Sequence, residues 1–84
     1  MIKPAFTISN CDTDTVVMIF HKKLLMREIK ALVGSKPLKI NMEGATAWVS
    51  GSSKNKQKNP AMMAILTESA GIFGDSLIIK DKKG

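Results

Sequence analysis

The residues of this chain that could do chemistry are few and scattered. There is one histidine, His21, and one cysteine, Cys11, which lies beside Asp12 and Asp14; Ser50, Ser52 and Ser53 make a hydroxyl-rich patch, and a single tryptophan, Trp48, lies among lysines. An imidazole can accept a phosphoryl group or relay a proton, but either task needs partners within reach. No base accompanies the serines in the sequence, and His21 is a lone candidate for a triad. Adjacent carboxylates disfavour a nucleophilic thiolate at Cys11, which reads as a small loop residue. Asp12 and Asp14 begin no loop of calcium spacing, and helix capping explains them better. Neither a phosphate-binding glycine loop, a dinucleotide fingerprint nor a His-Glu-x-x-His zinc motif is present. The expectation is a protein that is not an enzyme, with no cofactor and no metal.

The feature that remains is Trp48, and its setting is legible. Pro37 to Ser50 reads Pro-Leu-Lys-Ile-Asn-Met-Glu-Gly-Ala-Thr-Ala-Trp-Val-Ser. Glu43-Gly44 is a two-residue turn signal, because Gly44 can take the positive φ of a tight turn. With those two residues as the loop, Met42 faces Ala45, Ile40 faces Ala47 and Leu38 faces Val49. Side chains alternate along a strand, so these pairs share one side. The other side carries Lys39 opposite Trp48 and Asn41 opposite Thr46. The expected buried face is Leu38, Ile40, Met42, Ala47 and Val49, with Trp48 on the reverse near the Lys39 ammonium. A cation over an exposed indole contributes roughly 0.5–1 kcal/mol.

Eighty-four residues make one small domain, 1–84. The N-terminus lacks the basic and apolar regions of a signal peptide, and no apolar run approaches the ~20 residues of a membrane helix. One cysteine excludes an internal disulfide and a multi-cysteine zinc site, which suits a reducing cytoplasm. Thirteen basic residues, twelve of them lysine, against seven acidic ones give a net charge of +6. A lysine-rich surface attracts polyanions without the planar bidentate recognition that arginine supplies.

Ala5 to Ser9 alternates and reads as a first strand. Asn10 to Asp14 is a polar break. Thr15 to Val33 is ambiguous, because Val16 to Phe20 is an apolar run that suits a buried strand or the first turns of a helix. The favoured reading is one helix from about Asp14 to Val33; the rival is a strand over 15–20 followed by a shorter helix. Gly34 stops the helix. After the hairpin, 51–59 contains no apolar residue and reads as a flexible basic loop. Asn59-Pro60 starts a second helix, striped by Met62, Ile65, Leu66 and Phe73 and ending near Gly71 or Gly74. Ser76 to Lys80 is a last strand, and 81–84 is a charged tail. The order β-α-β-β-α-β predicts an α+β two-layer sandwich, with two helices on one face of a four-stranded, mostly antiparallel sheet.

Nothing in such a chain covers the second sheet face. That face would hold Lys39, Asn41, Thr46, Trp48, Ile78 and Lys80, with the three Phe residues buried elsewhere. An apolar patch of this kind marks a docking surface, and Trp is a frequent interface anchor. The expected function is that of a small non-enzymatic binding module that docks on a partner protein or on a second copy of itself, with no membrane partner. The alternative is nucleic-acid binding, with bases stacked on Trp48 and phosphates followed by Lys54, Lys56 and Lys58.

Gly71-Ile72-Phe73-Gly74-Asp75-Ser76-Leu77-Ile78-Ile79 and the order of elements resemble the histidine phosphocarrier (HPr) family's loop and last central strand. Asn59 stands where a regulatory serine caps the second helix in many members, and Met62 and Met63 are similar to that helix's methionines. The resemblance lies in topology, not in the family's phosphohistidine signature. It implies a phosphocarrier or regulatory role, with His21 as phosphoacceptor and Lys23 as the cation that holds the phosphate.

Overall fold

The computed structural model describes residues 3–52, 56–67 and 71–80. The chain is α+β, with five strands and two helices: β1 (Phe6–Ser9), β2 (Val16–Phe20), α1 (Met26–Val33), β3 (Pro37–Met42), β4 (Ala45–Ser50), α2 (Pro60–Leu66) and β5 (Ser76–Lys80). The sheet order is β1-β2-β5-β4-β3. β2 and β5 run parallel and every other pair is antiparallel. The four-stranded, mostly antiparallel sheet is therefore corrected to a five-stranded mixed one.

The extra strand comes from the ambiguous segment. Val16 to Phe20 is a strand, and the long helix from Asp14 is not formed. In this run Val17 and Ile19 bury on one side while Met18 and Phe20 bury on the other. A central strand covered on both faces gives such a run without alternation. A single helix would have turned part of it to water. Asn10 to Asp14 is consequently the connection of an antiparallel pair and leads into no helix, although Asn10 reaches across to the first turn of α2. Helix α1 starts later, where the Glu28 carboxylate accepts a hydrogen bond from Leu25 N–H at 2.8 Å. It stops at Gly34 as expected, with φ of 115° and its N–H donating to Lys30 O.

The hairpin has the predicted register at every pair, from Pro37 opposite Ser50 to Met42 opposite Ala45. Gly44 has φ of 74°, and an added Cβ would meet nothing within 4 Å. Strain there is purely conformational. Gly44→Ala should therefore lower stability by about 1 kcal/mol, read as a fall in the urea midpoint with an unchanged m-value.

The helices lie on opposite sides of the sheet, which corrects the expectation of one shared face. Met62 of α2 packs with Val17, Ile19, Ala47, Val49 and Ile78. Ile29 and Val33 of α1 pack with Met18, Phe20, Leu24 and Leu77. Both central strands are apolar on each side, so each side requires a cover. The face carrying Trp48 is thus partly roofed by α1.

Three further expectations change for the same reason of coverage. Helix α2 ends at Leu66, with Thr67 in the left-handed region, so Phe73 lies beyond it and forms a lone bridge with Lys58. So short a helix does not reach the sheet edges. Leu38 on edge strand β3 is 55% exposed and Phe6 on edge strand β1 is 48% exposed, although both were expected inside. Phe20 is buried as expected.

Polar bonds lock the end of the sheet near α2. Asn59 is wholly buried. Its Oδ1 accepts from Met62 N–H at 3.1 Å and from Asn10 Nδ2 at 3.1 Å. Its Nδ2 donates to Gly74 O at 2.8 Å and Val16 O at 3.3 Å. Asn10 in turn accepts from Ala61 N–H and donates to Thr15. The expected N-cap is real, and the same side chain also ties α2 to β2 and to the turn before β5. The described part of the 51–59 segment is also tied down: Gln57 O accepts from Gly74 N–H at 2.8 Å, and Gly51 N–H donates to Lys36 O at 2.6 Å.

Candidate functional site

The parallel pair sets the location of the site. β2 and β5 point their carboxyl ends the same way, and the chain leaves β2 through His21, Lys22, Lys23 and Leu24 before entering α1. At the same end, β4 begins beside the last residues of β5, with Thr46 opposite Ile79 and Trp48 opposite Leu77. Lys39 sits across from Trp48 on β3. Together with Ile29 of α1 and with Ile79 and Lys80 of β5, these residues enclose a groove of about 530 Å³. Open crevices beyond strand carboxyl ends are a recurrent place for ligands in sheets with parallel strands.

The groove has two chemistries. Leu24, Ile29, Trp48 and Ile79 give it an apolar floor. His21, Lys22, Lys23, Lys39 and Lys80 line it as well, and among the described residues no carboxylate does. Trp48 is half-buried, with part of its ring packed against the α1-side core and part lining the groove. The indole is consequently held by packing while it remains available to a ligand. The four lysines are exposed, and their charges add without an acidic partner among the described lining residues. A concave site with positive walls and a low-dielectric floor concentrates anions.

The sequence-predicted residues fall into three groups. Lys39, Thr46, Trp48, Lys80, His21 and Lys23 all line the groove, so two sets expected for different purposes share one site. His21 lies in the loop after β2 and is exposed, not in the middle of a helix as the single-helix reading required. Asn41 is exposed on the Lys39 side of β3 but lies outside the groove. Ile78 is corrected outright: it is 5% exposed and belongs to the core beneath α2. Its pairing with Ala47, and that of Trp48 with Leu77, places Ile78 and Trp48 on opposite faces.

The basic loop does not reach the groove. Lys54 lies outside the described residues. Lys56 turns back on the fold, its Nζ donating to Ser50 Oγ at 2.5 Å and to Val33 O at 3.4 Å. It neutralises the carbonyl end of α1, a use that competes with phosphate binding. Lys58 is exposed in its bridge with Phe73.

Lys22 and the floor residues Leu24, Ile29 and Ile79 were missed as site residues. Reading 16–20 as helix sent Lys22 to a solvated helix face. As a strand, the same segment delivers three consecutive basic side chains to a strand end. Among the described residues no three His, Cys, Asp or Glu side chains are gathered as a metal would need. Among them, too, no helix is long and apolar enough to cross a membrane. Comparison with protein-family models, with curated proteins and with solved structures found no match for this chain.

Proposed function

We propose that this protein is a non-enzymatic binding module that holds single-stranded nucleic acid in the Trp48 groove. One observation carries the reading: an indole on an apolar floor, walled by four lysines and a histidine with no carboxylate among the described lining residues. An unpaired base offers a flat apolar face to stack on the ring, and its phosphates lie within reach of the lysines. A duplex, with its bases already stacked on each other, offers only phosphates.

The test is a titration of Trp48 fluorescence with oligothymidylate at two salt concentrations. Binding should quench the indole and weaken as salt rises. The slope of log K against log salt should be no steeper than about −2.8, the value for one phosphate on each of four lysines of a single-strand site. An absence of binding at low salt removes the reading, and equal affinity for duplex DNA of the same length removes the stacking.

A second reading has its own observation. His21 is exposed and shares the groove with Lys22 and Lys23. This suits docking on a partner protein, with an HPr-like phosphocarrier or regulatory role in the cytoplasm as its most specific form. There a phosphoryl group on the imidazole would face the Lys23 ammonium. Incubation with a phosphoenolpyruvate-driven phosphotransfer system tests it; acid-labile phosphate on His21 supports it, and an unmodified His21 rejects it.

A further inference from the structure

The two edges of the sheet are built differently. On β3, Pro37 has no N–H to offer and Lys39 sets a charge along the edge, and both features discourage another strand from pairing there. β1 reads Phe-Thr-Ile-Ser, with neither a charge nor a proline, and all of its residues are exposed. Phe6 and Ile8 stand on the α2 side of the sheet, opposite Ile19 and Val17, and are 48% and 37% exposed. The backbone groups left over on β1 follow from its register. Asn10 N–H donates to Thr15 O, and Ala5 N–H is taken by Ile19 O at 2.7 Å. The first bond makes Asn10 and Thr15 a hydrogen-bonded pair. Alternation along an antiparallel ladder then turns the N–H and C=O of Phe6 and Ile8 toward β2. Those of Thr7 and Ser9 point away from the sheet, where among the described residues β1 has no neighbour.

We propose that β1 is a dimerisation edge, occupied by β1 of a second copy of this chain, paired antiparallel about a two-fold axis at Ile8. With Thr7 of each copy opposite Ser9 of the other, every outward N–H and C=O of both strands finds a partner. The same register sets the two Ile8 side chains against each other on the α2 side, with Cβ atoms about 4.5–5.5 Å apart, and Phe6 of each copy flanks them diagonally. Charge agrees with this direction. Continued past the strand ends, the register carries the exposed Lys3 of each copy alongside the Asn10–Asp14 turn of the other, where Asp12 and Asp14 are exposed. A parallel pairing would set lysine beside lysine and carboxylate beside carboxylate. The shared strand is short, so association is weak, with a dissociation constant of roughly 10 µM to 1 mM. The dimer does not depend on the groove reading, because Trp48 lies on the α1 side of the sheet.

Sedimentation of the whole chain, followed from micromolar to millimolar concentration, should show monomer giving way to dimer. Ile8→Lys replaces the apolar contact with like charges facing each other and should raise the dissociation constant about tenfold or more. Leu38→Lys, on the other edge, should leave it unchanged; circular dichroism of both variants checks the fold. A second measurement fixes the register. Ile8→Cys with the native thiol removed by Cys11→Ser should give a disulfide-linked dimer on mild oxidation, and Leu38→Cys in the same background should not. Should Ile8→Lys disturb the fold, the cysteine pair decides alone. A chain that stays monomeric at millimolar concentration overturns the proposal. A dimer lost in Leu38→Lys, or one that Ile8→Cys fails to link, overturns it as well, because the contact then lies elsewhere.

Discussion

Asn59→Ala should cost about 4 kcal/mol of folding stability, most of what a domain of this size has. The side chain is wholly buried and makes four hydrogen bonds, to Met62 N–H, Asn10 Nδ2, Gly74 O and Val16 O. Alanine removes every partner at once and leaves donors and acceptors in a dry interior. Each group left unsatisfied costs roughly 1–3 kcal/mol, and loss of the N-cap adds about 1 kcal/mol; relaxation and water entry reduce the sum. Small domains are stable by only about 5–15 kcal/mol, and this one sits at the low end by size.

Asn59→Asp tests the geometry more sharply. It keeps an oxygen toward Met62 N–H but sets another against the carbonyls of Val16 and Gly74. Burial and those carbonyls disfavour the charged form, so the introduced carboxyl titrates higher in the folded chain than the ~3.9 of an unfolded aspartate. A folded pKa raised above the unfolded one gives a contribution that is complete below the unfolded value. That contribution is lost as pH rises through the folded value. The aspartate variant should therefore be relatively most stable in acid and weakest at neutral pH. Urea midpoints of parent and variant across that range decide it; a flat difference would show that the Nδ2 contacts carry no weight.

The largest effect on binding is expected from Lys39→Glu combined with Lys80→Glu. These lysines stand on β3 and at the end of β5, and both line the groove. Each is exposed, so the substitutions leave the core alone. A unit charge at 4 Å from another is worth about 1 kcal/mol in water, and reversal turns attraction into repulsion of similar size. After screening, the pair should weaken single-strand binding roughly 30- to 100-fold at low salt, and much less at high salt. The same double reversal of Lys36 and Lys58, which are exposed and lie outside the groove, should do far less. Anisotropy at two salt concentrations distinguishes these outcomes. A loss from the second pair equal to that from the first would move the site away from the groove.

The hairpin shows how far local sequence reaches. Its register was readable because Gly44 permits one turn and because a slip of one residue would send Ala47 and Val49 to the wrong side. The α2 start was readable from Asn59-Pro60, and the α1 stop from Gly34. Lys39, Thr46, Trp48 and Lys80 are legible in the sequence as one surface, and all four line the groove. Ile78 does not belong to that surface. Alternation within β5 is plain, but which of its sides faces Trp48 depends on the pairing of β4 with β5, and no local signal fixes that. Val16 to Phe20 failed for a related reason. An apolar run without alternation suits a buried strand as well as a helix, and the choice falls to whichever neighbours can cover it.

The sequence by itself determined a small basic chain with one tight hairpin, a lone tryptophan facing lysines, and helix ends at Gly34 and Asn59-Pro60. These are properties of turns, caps and side-chain alternation, which act over a few residues. Only the tertiary structure decided that β2 and β5 lie parallel at the centre, that the helices cover opposite faces, and that His21, Lys22 and Lys23 meet Trp48 at one sheet end. The physical reason is that strand pairing and helix side are set by burying apolar surface between segments far apart in the chain. Residues brought together in that way carry no mark of one another in the sequence.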